Sequence, residues 1–258
     1  MKQAIVIIGI GEIGGVFARG LLRLGHPLYP VTRAMDLQQV AQHIPEPRLV
    51  LVAVGEADLP PLLAQLPAAW RDRLALLQNE LLPRDWEPHV CAPPSVISVW
   101  FEKKPGQDAK VLLPSPAFGP QAQLLVDALG AVDIAATTVS SPADLLYELV
   151  RKNLYILTTN IAGLSCGGTV AELWHKHRPL AEAVAEEVLD IQHWLCGEAL
   201  DRPRLLRGLE EGILADPQHQ CMGRSAPARL QRTRHIARQA GIATPRLDAI
   251  ARTLEART

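Results

Sequence analysis

Three glycines near the N-terminus have the spacing of a phosphate-binding turn. Gly9, Gly11 and Gly14 follow an apolar, β-branched run at residues 4–8 and precede a segment in which apolar residues recur at helical spacing. In a strand, turn and helix of this kind, the helix start presents N–H groups and a positive dipole end to phosphates. The alternative, a glycine-rich turn without a ligand, is weaker in this context. The residues that we expect to contact a dinucleotide are Gly9, Gly11, Glu12, Ile13 and Gly14.

The end of the second predicted strand bears on which dinucleotide binds. An NAD site usually has Asp or Glu there, which accepts a hydrogen bond from the ribose 2′-hydroxyl. This chain has Thr32 and Arg33 instead. A guanidinium beside a hydroxyl suits a 2′-phosphate, because it forms charge-assisted hydrogen bonds in pairs. The pattern therefore favours NADP as the cofactor, although Asp36 is close enough in sequence to compete for a ribose.

Strand and helix patterns alternate through the first half of the chain. Helical spacing follows the glycine turn and recurs at 59–66 and 121–129, and the strand-like runs lie at 4–8, 28–32, 49–54, 74–77, 96–100, 111–113 and 132–135. Such alternation predicts an open, mostly parallel sheet covered by helices. The fold class that we expect is α/β, with an N-terminal Rossmann-type doubly wound sheet.

The pattern changes at Ser140-Ser141-Pro142, which is a turn signal. Beyond it helical periodicity dominates, in segments at 143–164, 169–176, 179–197, 203–215, 226–240 and 246–256. We therefore predict a dinucleotide-binding domain at residues 1–139 and an all-α domain at 140–258. The all-α domain would bind the substrate, and it is also where a homodimer would form if the protein makes one.

Composition excludes several classes of protein. The 258 residues are 48% hydrophobic with a formal net charge of −1, which rules out intrinsic disorder and argues against binding to nucleic acid or to an anionic membrane. No apolar run reaches the roughly 18 residues of a spanning helix, and the N-terminus lacks a signal-peptide pattern. The four cysteines are far apart, without a C-x-x-C pair, so we predict reduced thiols in a cytoplasmic protein and no metal site.

The C-terminal part is basic. Residues 224–257 contain eight arginines against two acidic residues, Asp248 and Glu255. We favour a solvated helix face as the interpretation of these arginines. The alternative is a wall that attracts an anion beside a substrate cleft.

The cofactor half resembles the ketopantoate reductase family. The stretch GIGEIGGVFARGLLRLGHPLYPVTR is similar to the family's opening almost throughout, and PRLVLVAVGEADL and the segment ending in Gln78-Asn79 also fit. In that family the Asn of a Q-N-G motif sits beside the nicotinamide and the substrate, which implies this role for Asn79 and adds Gln78 to the cofactor contacts. Two positions depart from the family: Glu80 replaces the glycine, and Gly55 replaces a lysine that contacts the cofactor.

The helical half shows a partial match. Lys152 aligns with the family's catalytic lysine and Asn160 with the second of two asparagines that follow it, whereas the first is replaced by Ile156. The asparagine of a later N-G-E-L segment is replaced by Val170. Residues at i, i+4 and i+8 share one side of a helix, so Lys152 and Asn160 could face one cleft. Without the resemblance, an exposed ion pair of Lys152 with Glu148 would be the preferred interpretation.

The resemblance is weakest near the C-terminus. The family has a T-E-I-D segment there, whose glutamate binds the substrate hydroxyl, and this chain has Arg224-Ser225-Ala226-Pro227-Ala228-Arg229 instead. No acidic residue lies between Asp216 and Asp248. Loss of a carboxylate that recognises a substrate hydroxyl should change which substrate binds.

The resemblance implies an NADP-dependent reductase of a small 2-oxo acid, similar to ketopantoate. Lys152 would donate a proton to the carbonyl oxygen, and Asn79 and Asn160 would orient the cofactor and substrate. A catalytically impaired NADP-binding regulator on the same scaffold is the alternative, motivated by the losses at positions 156 and 170. An oxidoreductase acting on an imine or a β-hydroxy acid is a weaker third hypothesis.

Overall fold

The computed structural model describes residues 2–256. The described chain divides after Leu149 into two compact units. The predicted boundary at residue 140 lies just before a long helix, Pro142–Cys166, whereas the division into compact units falls within that helix. The assignment of a cofactor role to residues 1–139 and a substrate role to 140–258 stays a prediction.

The first unit is built on a twisted sheet. Its strands and the two strands of a separate small ribbon are β1 (Ile5–Ile8), β2 (Leu28–Val31), β3 (Leu49–Val52), β4 (Leu74–Leu76), β5 (Ser95–Ile97), β6 (Phe101–Glu102), β7 (Lys110–Val111), β8 (Ser115–Phe118) and β9 (Ala136–Thr138). The seven-stranded sheet has the order β2-β1-β3-β4-β5-β8-β9, and every pair is parallel except β5 with β8. The ribbon pairs β6 with β7.

Four helices belong to this sheet, namely α1 (Glu12–Arg23), α2 (Leu37–His43), α3 (Leu59–Ala64) and α4 (Ala122–Gly130). Strands β1 and β3 are buried along their whole length, as continuous apolar runs in a covered parallel sheet should be. Because β1 lies between β2 and β3, the strand order reverses beside it, and the crevice at the carboxyl ends of such strands is where ligands bind. The glycine turn after β1 therefore occupies the functional edge of the sheet.

The helix α5 (Pro142–Cys166) leads into the second unit, whose helices are α6 (Val170–Lys176), α7 (Arg178–Cys196), α8 (Arg202–Ala215), α9 (Ala226–Ala240) and α10 (Pro245–Glu255). Helix α7 packs against α9 and α10, and α6 packs against α7 and α8. Local signals set the helix ends: Thr169 and Glu172 form a capping box at the start of α6. Gly197 and Gly241 adopt left-handed backbone after α7 and α9.

The predicted fold class is confirmed, because the sheet is mostly parallel and the chain after residue 140 is helical. All six predicted C-terminal helices are present, with bounds within about two residues. Among the described residues, no helix is long and apolar enough to span a membrane.

Some predicted details of the first unit were wrong, and some elements were missed. The run at 132–135 is not a strand, because Val132 and Asp133 donate backbone hydrogen bonds to Leu129 and Gly130 in the turn that ends α4, and β9 starts only at Ala136. Of residues 111–113 only Val111 is in a strand, and that strand belongs to the ribbon rather than to the main sheet. Helix α2 and strand β8 were not predicted, and β8 contains a proline that weakens the strand pattern.

Candidate functional site

The glycine turn has no room for side chains at two of its three glycines. Gly9 adopts a φ of +94°, and a Cβ there would lie 2.6 Å from the carbonyl oxygen of Ala53, at the end of β3. A Cβ at Gly14 would clash with the carbonyl oxygen of Gly9. The chain therefore bends tightly after β1, and α1 starts close to the sheet.

The start of α1 is open. Gly11 is the N-cap residue, no side chain caps the helix there, and nothing lies within 4 Å of the place where a Gly11 Cβ would be. Glu12 is exposed and Ile13 is half-buried. The first turn of a 12-residue helix thus meets open space with its positive dipole end, which is a suitable place for a phosphate.

A lysine that the sequence analysis missed lies at this helix start. The Nζ of Lys103 is 3.0 Å from the carboxylate of Glu12, and the Lys103 side chain is only 13% exposed. It also donates to the backbone carbonyl of Lys104. The carboxylate of Glu12 would repel a phosphate, and the ion pair with Lys103 reduces that repulsion. No motif identifies Lys103, because it is far from Glu12 in sequence.

In the candidate ribose site after β2, Arg33 and Asp36 make different contacts. Arg33 extends into solvent with 91% of its side chain exposed, and its guanidinium pairs with Asp58 at 2.8 Å. Asp36 caps α2 and accepts hydrogen bonds from the N–H groups of Gln38 and Gln39, at 2.7 and 3.2 Å. Thr32 is exposed at the end of the strand. The carboxylate that could have bound a ribose therefore serves a helix N-terminus instead.

Gln78 and Asn79 follow β4 at the same edge of the sheet. The buried amide of Gln78 donates to the carbonyls of Val52 and Val54, at 2.8 and 3.3 Å, and accepts from the N–H of Leu77. It thereby ties the end of β4 to the end of β3. The half-buried Asn79 donates to the carboxylate of Glu56 at 3.2 Å. The Gln78 side chain thus binds backbone groups, whereas the Asn79 side chain is the more exposed of the two.

Glu80 keeps a backbone conformation typical of glycine. Its φ is +61°, in the left-handed region that costs a residue with a Cβ roughly 1–2 kcal/mol. This is the position at which the resembling family has glycine. The turn after β4 therefore retains its shape although the residue has changed.

In the second unit, α5 carries a lysine with unusual proton affinity. Desolvation of the Lys152 amine, together with the positive charge of Arg229 on α9, lowers its pKa from the ordinary value to about 7. Near neutral pH such an amine is divided between its charged and neutral forms, which is the condition for efficient general acid–base catalysis.

Asn160 links α5 to α9 and to the loop before it. Its side-chain oxygen accepts from Nη1 of the buried Arg229 at 2.9 Å, and its amide nitrogen donates to the carbonyl of Cys221 at 3.2 Å. Burial raises the pKa of the Cys221 thiol to about 12, so this residue stays protonated. The three residues are held together next to the same helix that carries Lys152.

The structure also places the residues that replace the family's asparagines. Ile156, one turn after Lys152 on α5, is buried, and Val170 is fully buried at the start of α6. Both positions are therefore part of an apolar interior. Ser225, the nearest candidate for the missing glutamate, is the residue before α9 and makes no side-chain cap bond.

The basic C-terminal segment does not behave as a single solvated face. Arg229 is buried, Arg234 pairs with Asp248 at 2.7 Å, and Arg238 is exposed. Arg257 lies outside the described residues. Arg229 was not among the predicted site residues, and the only signal for it was the excess of arginine itself.

The four cysteines lie far apart in the chain, and two histidines, His175 and His177, lie near Glu172. Residues 2–256 contain no group of three or more His, Cys, Asp or Glu that could hold a metal ion. His175 and His177 are exposed, and Glu172 caps α6 and pairs with Lys176. None of the four cysteines, all within the described residues, forms a disulfide.

Comparisons with known proteins identify the fold. No protein-family model and no curated protein matches the sequence. The structure is similar to a ketopantoate reductase of the PanE/ApbA family from Ralstonia eutropha, with a TM-score of 0.67, 13% identity, and coverage of 98% of this chain and 97% of that one. It is also similar to a dimeric ketopantoate reductase from Staphylococcus aureus, with a TM-score of 0.64, 17% identity and 98% coverage of both chains.

A third similar structure is a D-mandelate dehydrogenase in complex with NADH, with a TM-score of 0.64, 16% identity, and coverage of 99% of this chain and 98% of that one. The chain thus has the fold of ketopantoate reductases along nearly its whole length. The resemblance inferred from the sequence motifs is confirmed at the level of the fold.

The strained residue Glu80 leads to a prediction about stability. At an ordinary position, a variant with glycine is less stable to unfolding than a variant with alanine. At a positive φ the order of stability reverses, because only glycine lacks the clashing Cβ. We expect Glu80→Gly to be about 1 kcal/mol more stable than Glu80→Ala, as measured by urea unfolding. Comparing these two variants separates backbone strain from the loss of side-chain contacts.

The matched control is the exposed Glu46, which does not have a positive φ. There the alanine variant should be at least as stable as the glycine variant. An alanine variant at position 80 that equals or exceeds the glycine variant would contradict the assignment of strain to this turn.

Proposed function

We propose that the protein is an NADP-dependent oxidoreductase that reduces a small 2-oxo acid. The observation that carries the proposal is the Lys152 amine, whose pKa of about 7 fits a proton donor at neutral pH. The neighbours of the same fold include ketopantoate reductases and a D-mandelate dehydrogenase, which supports this reaction class. Their different substrates leave the identity of the 2-oxo acid open to experiment.

The residues of the first unit fit a dinucleotide. The crowded backbone at Gly9 and Gly14 and the uncapped start of α1 form the cradle that a pyrophosphate requires. The N–H groups of Gly11, Glu12 and Ile13 would bind the phosphates, and Lys103 would supply positive charge beside them. When bound, the reduced nicotinamide supplies the hydride for the carbonyl carbon of the substrate.

The ribose end favours NADP over NAD. Asp36 is engaged as the cap of α2, so its carboxylate is not placed as the usual acceptor for a 2′-hydroxyl. Arg33 is held by a single exposed carboxylate, that of Asp58. An exposed ion pair of this kind is worth about 1 kcal/mol or less, so a 2′-phosphate can take the place of Asp58. Thr32 would add a hydroxyl donor.

Lys152 would donate its proton to the carbonyl oxygen as negative charge develops there. Desolvation makes the ammonium a stronger acid than an exposed lysine, and it also strengthens the interaction of its charge with an oxyanion. Asn160 is fixed by Arg229 and the Cys221 carbonyl, so its position relative to Lys152 on α5 is constrained. We assign the orientation of the cofactor to Asn79 and that of the substrate to Asn160.

A homodimer through the helical unit stays a prediction. It is supported by the description of one protein of the same fold as dimeric. Sedimentation of the full chain with and without NADPH would test it, and a monomer under both conditions would exclude it.

The first functional prediction concerns the cofactor. Arg33→Asp should weaken NADPH binding by about 30-fold, because a charge-assisted hydrogen bond is lost, and should change NADH binding little. Asp58→Asn should strengthen NADPH binding a few-fold at low salt, because it removes the competitor for Arg33. Both are measured by calorimetric titration of each cofactor.

Asp72→Asn serves as the control, because Asp72 is equally exposed but pairs with Arg73 instead. It should leave both affinities unchanged. Equal losses of NADPH and NADH affinity in Arg33→Asp would refute the role assigned to Arg33.

The second functional prediction concerns pH. Lys152 must be protonated to act as an acid, and its lowered pKa means that the protonated form disappears as the pH rises through about 7. We therefore expect kcat/KM for reduction to be high below pH 7 and to fall about tenfold per pH unit well above it. Lys152→Met should reduce kcat by at least about 100-fold and leave NADPH affinity unchanged.

Lys176→Met, at an exposed lysine of the same unit, is the control and should retain the activity and the pH profile. A flat profile between pH 6 and 8, or an active Lys152→Met variant, would remove Lys152 from the mechanism.

The hypothesis of a catalytically impaired regulator predicts cofactor binding without turnover. Titration of NADPH and NAD, followed by a screen of 2-oxo acids for loss of absorbance at the reduced-cofactor band, distinguishes the regulator from the reductase. Tight NADPH binding without turnover of any 2-oxo acid, and without any effect of Lys152→Ala, would support a regulator. Turnover that depends on Lys152 would support the reductase.

A further inference from the structure

The turn after β3 carries two carboxylates that contact residues following two other strands. Residues Glu56–Asp58 form one turn of 3-10 helix shortly after β3. Asp58 pairs with Arg33, which follows β2. Glu56 accepts a hydrogen bond from Nδ2 of Asn79, which follows β4, at 3.2 Å. One short turn therefore contacts residues on both sides of it at the carboxyl edge of the sheet.

The chemistry of the second contact fixes which way the Asn79 amide faces. An ionised carboxylate only accepts hydrogen bonds, so the amide must turn its Nδ2 toward Glu56. Further contacts of the Glu56 carboxylate would not change this orientation. Oδ1 of Asn79 then faces another way, and no group of residues 2–256 donates a hydrogen bond to it. Asn79 therefore presents an acceptor, and a ligand there must bring a donor.

The backbone on either side of Asn79 is held in place. The amide of Gln78 donates to two backbone carbonyls at the end of β3, at 2.8 and 3.3 Å. Glu80 adopts a φ of +61° in the turn that follows. Rotation of the half-buried Asn79 side chain is the freedom that remains, and the hydrogen bond to Glu56 restricts it.

The sheet order places this amide toward one end of a bound dinucleotide. A dinucleotide lies across the carboxyl ends of the strands, with its pyrophosphate at the glycine turn after β1. Arg33, the candidate contact of the 2′-phosphate, follows β2 on one side of β1. The nicotinamide half then extends to the other side, over the ends of β3 and β4, about 5 Å and about 10 Å from β1. The nicotinamide carboxamide carries N–H donors, which the Asn79 oxygen can accept.

We propose that Glu56 is a positioning residue, whose carboxylate turns the Asn79 amide so that Oδ1 accepts a hydrogen bond from the carboxamide N–H of the nicotinamide. The inference rests on the proposed binding of a nicotinamide cofactor and deepens it, because it names the atom that recognises the ring and the residue that orients this atom. The sequence motifs assign no role to Glu56.

A purely structural role is the competing explanation. Glu56 would then only join the ends of β3 and β4, and its loss would weaken the binding of every dinucleotide equally. The positioning role depends instead on whether the ligand has a donor. Two ligands that differ only in that group therefore separate the explanations.

The probes are NADP⁺ and its acetylpyridine analogue, in which a methyl group replaces the carboxamide nitrogen. The analogue keeps the carbonyl oxygen but has no N–H donor. Each probe is titrated calorimetrically into the full chain, and the measured quantity is the ratio of the dissociation constant of the analogue to that of NADP⁺. A general change in affinity cancels in this ratio.

The proteins are the wild type, Glu56→Ala, Glu56→Gln and Asn79→Ala. Glu46→Ala is the matched control, because Glu46 is an exposed glutamate that precedes β3, whereas Glu56 follows it. Thermal unfolding followed by circular dichroism checks that each variant folds.

We expect a ratio of about 10 for the wild type and for Glu46→Ala, because the analogue leaves Oδ1 without a donor. Asn79→Ala should lower the ratio to about 1, and Glu56→Ala to about 3 or less, since the freed amide can turn away. Glu56→Gln keeps an acceptor oxygen and should retain most of the preference. An equal ratio in Glu56→Ala and the wild type would overturn the proposal, as would a wild-type ratio near unity.

Glu56→Lys provides a second test, which does not depend on the folding of Glu56→Ala. An ammonium only donates hydrogen bonds, so the Asn79 amide should turn its oxygen toward position 56 and its Nδ2 toward the ligand. Both probes carry a carbonyl oxygen that can accept from Nδ2, so the ratio should fall to about 1. An unchanged preference for NADP⁺ in this variant would overturn the proposal.

A turnover assay with 2-oxo acids and NADPH distinguishes failure of this inference from failure of the proposed function. A ratio that depends on Glu56, without oxidation of NADPH by any 2-oxo acid, would support the positioning role and refute the reductase. Turnover with a ratio that is independent of Glu56 would do the reverse. Failure of the wild type to bind NADP⁺ would overturn both.

Discussion

The desolvation of Lys152 on α5, near the buried Arg229 of α9, is the constraint on which the electrostatics of the helical unit depend. A charged group removed from water is costly unless it is paired or changes its protonation state. Desolvation of the Lys152 amine, together with the positive charge of Arg229, lowers its pKa to about 7. The bond from Arg229 to Asn160 fixes the position of the charge that causes part of this shift. The acidity of Lys152 thus follows first from its desolvation and second from a charge on a neighbouring helix.

The sheet unit brings backbone groups of several strands together at one edge. The parallel arrangement places the ends of β1, β3 and β4 at one edge, and the close contact of Gly9 with Ala53 draws the turn against β3. The Gln78 amide then joins the ends of β3 and β4. Side-chain chemistry enters only at the rim, through Lys103, Arg33 and Asn79. The backbone of this edge is therefore held by its own packing and by the Gln78 amide.

The sequence predicts the elements whose signals are local. The six C-terminal helices are found because their apolar periodicity and end signals lie within each segment, and the glycine turn is found because its strand and helix adjoin it. Residues whose role depends on distant partners are not found. Lys103 contacts Glu12 although the two residues are 91 positions apart in sequence. The burial of Arg229 follows only from the packing of α9. Periodicity also misplaced the last strand, because the apolar residues at 132–134 close a turn and pack into the core.

The lowered pKa of Lys152 agrees with the absence of the glutamate that the resembling family has near its C-terminus. A carboxylate near Lys152 would favour the ammonium form and return the pKa of the amine toward its ordinary value. In this chain the positive charge of Arg229 on α9 acts in the opposite direction, in addition to the larger effect of desolvation. The missing carboxylate and the arginine are therefore both consistent with a lysine amine that gives up its proton easily. For the proposed reductase, a 2-oxo acid without the hydroxyl that the family's glutamate binds is the first substrate to test.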